Sequence, residues 1–191
     1  GHTYWYDITN LTDESGQADA LVNCFTPGDT RKEMITYVKA ESKTYLMTKF
    51  LDTKNVSFNQ VGNDQIILRY ADVLLMYAEA LNELGYDASE GSIALKQLNA
   101  TRTRAGLTEL TAADVPTQES FRKAILDERQ KEFPYEGHRW FDLVRMGYAK
   151  SVLATQGLNI QDYQLLFPIP QTEIEKVGNS KILWQNPGYD K

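Results

Sequence analysis

The stretch "ILDERQKEFPYEGHRWFDLVRMG", residues 125–147, carries the residue types that do chemistry. Asp127, Glu128, Glu132, Glu136, His138 and Asp142 stand among Arg129, Arg139 and Arg145, with Phe133, Tyr135, Trp140 and Phe141 between them. Carboxylates with a histidine suit general acid–base catalysis. The same groups can ligate a metal. Carboxylates with arginines can also neutralise each other in an interior, where the planar guanidinium takes a carboxylate in bidentate fashion. The three chemistries demand different spacings, so spacing is the test.

Phe121 and Ile125 continue at helical spacing into Glu128 and Glu132, which puts two carboxylates one turn apart on the face that should turn inward. Acids one turn apart point the same way. A glycosidase needs its pair facing across a substrate, about 5–10 Å apart. A metal site of the di-iron kind needs Glu-x-x-His on two helices. Here Glu136 and His138 are two residues apart, and no second histidine motif exists. Ion pairing needs only guanidinium groups within reach. Arg102, Arg104, Arg139 and Arg145 lie on neighbouring predicted helices, and Asp142 is three residues from both Arg139 and Arg145. We therefore expect a structural ion-pair cluster of Glu128, Glu132, Arg139, Asp142, Arg145, Arg102 and Arg104, with no catalytic residue, no metal and no cofactor.

The elements that hold this cluster are helical. Residues 1–65 are rich in Thr, Asn, Asp and Gly and predict loops, short strands at "TYWYDIT" and "MITYVKA", and one short helix at 16–23. From Gln65 the apolar period changes. Leu68, Ala71, Leu75 and Ala78 mark one helix face, and Val73, Tyr77, Ala80 and Leu84 a second, which predicts a helix packed on both sides. Ser92 caps a second helix over 92–105 with a face of Ala94, Leu98, Thr101 and Ala105. The pair has the size of one tetratricopeptide unit. Thr117 caps a third helix, 118–133, that Pro134 breaks, and a fourth follows over 136–147. The tail holds an apolar strap, "LLFPIP", a short helix near 171–176, and "QNPGY"; Trp184 and Tyr189 are expected in the core. The fold class is thus mainly α: tetratricopeptide-like hairpins, long loops and a few short strands. An irregular region (1–65) precedes a helical domain (66–191), the two forming one continuous domain of a longer protein.

The net charge of −6 disfavours a nucleic-acid partner. A single cysteine, Cys24, excludes an intrachain disulfide and reads as a small buried hydrophobe. The longest apolar run, "VLLMYA", is too short to cross a bilayer. No GxGxxG, P-loop, HExxH, EF-hand or GxSxG motif is present. Asn10, Asn55 and Asn99 begin N-x-[ST] matches, patterns short enough to arise by chance.

Several segments together resemble one family. "GDTR", "RYADVLLMYAEALNELG", "LNATRTRAGL", the 125–147 stretch, "LFPIPQTEI" and "QNPGY" occur in the order seen in SusD/RagB-type nutrient-binding lipoproteins. The resemblance covers residues 28–189 and implies a SusD-like α-α superhelix. It implies a lipid-anchored protein on the extracellular face of the outer membrane, the anchor lying outside this chain. It implies capture of an oligosaccharide or polysaccharide, in some members a peptide, for a SusC-like TonB-dependent transporter, without catalysis. Members are two to three times longer, so we expect a C-terminal portion. "KEFPYEGH" departs from the family in placing Phe-Pro at the helix end.

The family's sugar contacts lie on variable loops and do not carry over. A glycan site needs an exposed ring for sugar C–H groups with polar side chains beside it. Tyr4, Trp5, Tyr6, Asp7 and Asn10 form the best local candidate; the alternative is an extended segment packing Trp5 inward. Two rivals stand beside a glycan-binding function: an interaction scaffold whose sugar is bound elsewhere in the protein, and an all-helical glycoside hydrolase using Glu128 or Glu132.

Overall fold

The computed structural model describes residues 21–39, 44–50, 64, 66–87 and 89–189. Two compact units divide at Arg139/Trp140. Among the described residues, the first holds a two-stranded antiparallel sheet, β1 (Ile35–Lys39) with β2 (Thr44–Met47), and three α-helices: α1 (Tyr70–Leu84), α2 (Ile93–Arg104) and α3 (Gln118–Glu132). α4 (Arg139–Arg145) begins at the division, and α5 (Ala149–Ala154) and α6 (Gln171–Val177) belong to the second unit. The architecture is mainly helical. Of the expected helix at 16–23, the described part is a single 3₁₀ turn, Val22–Cys24; the rest lies outside the described residues, as do Tyr4, Trp5, Tyr6, Asp7 and Asn10.

α1, α2 and α3 pack on one another and make the core of the first unit. α2 buries Ala94, Leu98, Thr101 and Ala105, the face its spacing specifies. Its start is capped by Ser92, whose hydroxyl accepts from Leu95 N at 3.2 Å. α3 starts with a capping box in which Thr117 and Ser120 exchange side-chain and backbone bonds. It ends at Glu132, one residue earlier than expected, because Phe133 precedes Pro134 and takes a non-helical conformation. α4 is shorter than expected. The turn Phe133–Gly137 occupies what was read as its first residues, with Tyr135 at φ 60° and Gly137 at φ 81°. A positive φ is costly for a tyrosine.

α1 departs from the expected two-sided packing. Leu75 and Ala78 are buried, but so are Asp72 and Asn82, while Leu68, Val73, Tyr77 and Leu84 are exposed. Asp72 is inside because Arg129 of α3 neutralises it at 2.7 Å. Asn82 is inside because it exchanges amide bonds with Gln118 at 2.7 and 3.2 Å. Asn99, one of the N-x-[ST] matches, is buried and exchanges bonds with both backbone groups of Leu110 at 2.9 Å. A buried amide so engaged is a loop fastener, not a glycan acceptor.

In the second unit the strap and the "QNPGY" segment bind each other. The Gln185 amide pairs with both backbone groups of Ile169 at 2.7 and 2.8 Å. Tyr189 Oη donates to the Leu166 carbonyl at 3.0 Å, and its ring meets Tyr163 edge-on at 5.0 Å. Gly188 has φ 93°, and a Cβ there would sit 2.4 Å from the Tyr163 ring, so only glycine fits. Trp184 corrects the expectation of a core position: it is 62% exposed. Tyr189 is half-buried. The strap itself leaves Leu166 and Phe167 exposed.

Candidate functional site

The carboxylates of α3 are deeply buried. Glu128 is 1% exposed and Glu132 2%. Their main partner is Arg31, which comes from the "GDTR" segment, in a 3₁₀ turn over Thr30–Met34, rather than from a neighbouring α-helix. Arg31 grips Asp29 with a fork, Nε to Oδ1 at 2.9 Å and Nη2 to Oδ2 at 2.8 Å. Its remaining nitrogen, Nη1, reaches Glu128 Oε1 at 2.6 Å and Glu132 Oε2 at 2.9 Å. One guanidinium therefore serves three carboxylates. Burial works against its charge, but the hydrogen bonds it donates to Asp29 and the charge of Glu128 win and raise its pKa further. The loop that carries Arg31 is docked on the end of α2. Thr30 donates to the Ala105 carbonyl through N at 3.0 Å and Oγ1 at 3.1 Å. A side chain at Gly106 would press on Gly28 O at 3.1 Å.

The network extends past α3. Arg69, which precedes α1, donates to Glu132 Oε1 at 2.6 Å and to Glu136 Oε2 at 2.9 Å. Arg104 also reaches Glu132, and Lys49 reaches Glu136 and the Glu132 carbonyl. Phe133 lies under two of these cations, with the Arg69 and Arg129 guanidinium carbons 4.4 and 4.8 Å from its ring centroid. Burial pushes the Glu136 carboxyl up, but the Arg69 and Lys49 hydrogen bonds outweigh it and hold the carboxyl below its ordinary value. The same burial lowers Lys49, because a lone ammonium has one carboxylate beside it and a neighbouring Arg69 that repels it.

The expected cluster members meet this network unevenly. Arg102 Nη1 approaches Glu128 Oε2 at 3.5 Å, while its Nε and Nη2 donate to the Thr108 carbonyl. Arg139, expected as a carboxylate partner, donates to the Leu126 carbonyl at 3.1 Å. Asp142 and Arg145 pair with each other at 2.7 Å inside the second unit. His138 packs its ring on Phe133 at 4.9 Å. Arg31, Asp29, Arg69 and Lys49 were missed because they come from a 3₁₀ turn and from irregular segments, where no periodicity marks an inward face. The one available signal was the "GDTR" word itself. Cys24 is half-buried with its thiol on the Leu21 carbonyl, and burial pushes its pKa up to about 11.

The carboxylates of Asp29, Glu128, Glu132 and Glu136 thus face a set of arginines and one lysine. Such an arrangement fastens. It joins the 29–31 loop, the segment after β2, the start of α1, the end of α2 and the end of α3. Among the described residues no cluster of three or more acids, histidines or cysteines is placed to hold a metal, and no helix is long and apolar enough to cross a membrane.

The SusD family model (SusD_RagB) matches residues 33–161. This chain belongs to the SusD family. SusD-like protein P2 of Formosa agariphila is 37% identical over 140 residues, which are 67% of this chain and 26% of that protein. A solved laminarin-binding SusD-like protein is 30% identical with a TM-score of 0.62, covering 88% of this chain and 37% of that one. Surface glycan-binding protein A of Bacteroides thetaiotaomicron, solved with laminarihexaose, is 26% identical with a TM-score of 0.62, covering 95% and 44%. This chain spans about a quarter of the length of the curated relatives it matches.

Proposed function

We propose that this chain is part of a non-catalytic glycan-binding protein of the cell surface. It captures an oligosaccharide or polysaccharide on the extracellular face of the outer membrane and hands it to a SusC-like TonB-dependent transporter. The observation that carries this reading is the burial of the α3 acids in ion pairs. Glu132, held by three guanidinium groups at 2% exposure, is occupied by structural partners rather than presented to a substrate. The SusD membership supplies the direction, since solved relatives of the same fold are glycan binders. Tyr4, Trp5, Tyr6, Asp7 and Asn10 remain the proposed sugar-facing group, and tetratricopeptide-like stacking the proposed arrangement of the helical hairpin.

The test is calorimetry of the full-length protein and of this chain with a panel of oligosaccharides, run beside an assay for released reducing ends. Binding without new reducing ends is expected. Hydrolysis at any enzymatic rate would overturn the reading. A scaffold role is favoured by one observation, the exposed row of Tyr70, Val73, Tyr77 and Leu84 along α1. Tyr77→Asp in the full-length protein separates the two: lost transporter co-purification with intact glycan binding assigns that face to protein contact.

A further inference from the structure

The outer face of α1 is regular as well as exposed. Tyr70, Val73, Tyr77, Ala80 and Leu84 follow one another at alternating steps of three and four residues. All five are exposed, Tyr70 at 74% and Leu84 at 87%. The row lies on the side of the helix opposite Leu75, Ala78 and Asn82, the buried row that meets α2 and α3. Alternating threes and fours are the spacing of a helix seam. They keep apolar knobs in line along about 21 Å of helix, where a second helix can seat them in its holes. No charged residue interrupts the row.

The row is complementary to itself when reversed. Turned end for end about Tyr77, it sets Tyr70 against Leu84 and Val73 against Ala80. Two copies running the same way would set Ala80 against Ala80 and leave a gap without contacts. Charge favours the reversed pairing too. The C-terminal end of α1 carries Glu83 and, just beyond it, Asp87, both exposed, whereas its N-terminus has no side-chain cap and its one first-turn acid, Asp72, is buried on Arg129. Reversal brings the acidic end of one copy beside the positive end of the other helix dipole, and parallel pairing would bring acid to acid. Ile67, Leu68 and Met76, 71%, 69% and 43% exposed, widen the apolar surface. A large ring buries about 150–250 Å², so the exposed fractions together offer several hundred Å² per copy, against about 800 Å² per partner in a stable interface. That is the scale of a reversible dimer. We propose that α1 is a self-association face: two copies of this chain pair through it, antiparallel, about a two-fold axis at Tyr77. The pairing goes beyond the capture reading and does not depend on it.

The experiment is sedimentation velocity on the full chain over a concentration range reaching about 1 mM, the weak limit of specific association. A concentration-dependent dimer is expected. Val73→Glu puts a charge into the seam and should weaken the dimer at least about tenfold. Ala100→Glu adds the same charge on the exposed side of α2 and should leave the dimer unchanged. Equal melting temperatures show that the loss is not unfolding; should Val73→Glu melt lower, Leu84→Lys at an 87% exposed position takes its place. Orientation is read by cross-linking in a Cys24→Ala background. Tyr77→Cys should form a disulfide between copies under mild oxidation, because the two positions meet on the axis. Leu84→Cys should not, because its two copies lie about 21 Å apart. A monomer at every concentration would overturn the proposal, as would a dimer that the seam substitution leaves intact. Cross-linking at position 84 as readily as at 77 would overturn the antiparallel axis. Oligosaccharide calorimetry on the Val73→Glu protein keeps the readings apart, because binding retained by the monomer leaves capture standing whichever way the dimer falls.

Discussion

The two ends of α3 carry the same kinds of charge and use them differently. At the N-terminal end, Arg122 bridges Glu83 and Glu119, side chains 42% and 66% exposed, and Lys123 meets Asp127 at 3.1 Å in the open. At the C-terminal end, Glu128 and Glu132 are held by Arg31, Arg69 and Arg104 with almost no exposure of the acids. Water screens the first set, and pairs of that kind contribute about 0–1 kcal/mol. The second set has been taken out of water, so each charge depends on its partner, and removing one partner costs about 3–5 kcal/mol. Residue type does not separate the two ends. The helix face does: Glu128 and Glu132 continue the row of Phe121 and Ile125, whereas Arg122 and Lys123 are off it.

The largest effect is expected at the centre of the buried set. Arg31→Met leaves Asp29, Glu128 and Glu132 without their shared guanidinium and should cost about 3–5 kcal/mol. Thermal denaturation should show a drop of roughly 6–20 °C for a chain of this length. Arg31→Lys keeps the charge but not the fork, so it should fall between the two proteins. A milder effect follows from acid. Glu136 has a folded pKa below its ordinary 4.5, so its contribution is present above that value and is lost as pH falls through the folded pKa. Melting temperature followed from pH 7 downward should decline below about pH 4.5, and Glu136→Gln should remove part of that decline while lowering the plateau. A decline of identical shape in the variant would show that other acids carry the titration. Thr117→Ala removes the cap and should cost about 1 kcal/mol in chemical denaturation. Smallest of all, Arg122→Ala should change stability by less than about 1 kcal/mol. A loss there as large as at Arg31 would erase the contrast between the ends.

Much of the helical part was legible because an apolar period is a local signal. α2 and the inward row of α3 follow it residue by residue. α1 misled at its outer face. Val73, Tyr77 and Leu84 repeat at helical spacing, yet period alone cannot tell a face packed within this chain from one left exposed. The acids of the site were legible as an inward row, but their partners were not. An arginine in a short 3₁₀ turn, such as Arg31, becomes inward only through the docking of Thr30 and Gly106, contacts between residues far apart in sequence. Trp184 failed for a related reason: a large apolar ring suggests a core, but burial requires something to cover it.

The most direct test is Glu128→Ala, with melting temperature and oligosaccharide hydrolysis measured on the same preparations. Buried fastening predicts a sharply lower melting temperature and no released reducing ends from either protein. A variant as stable as the unaltered protein, in which a measurable hydrolysis disappears, would make Glu128 a catalytic acid.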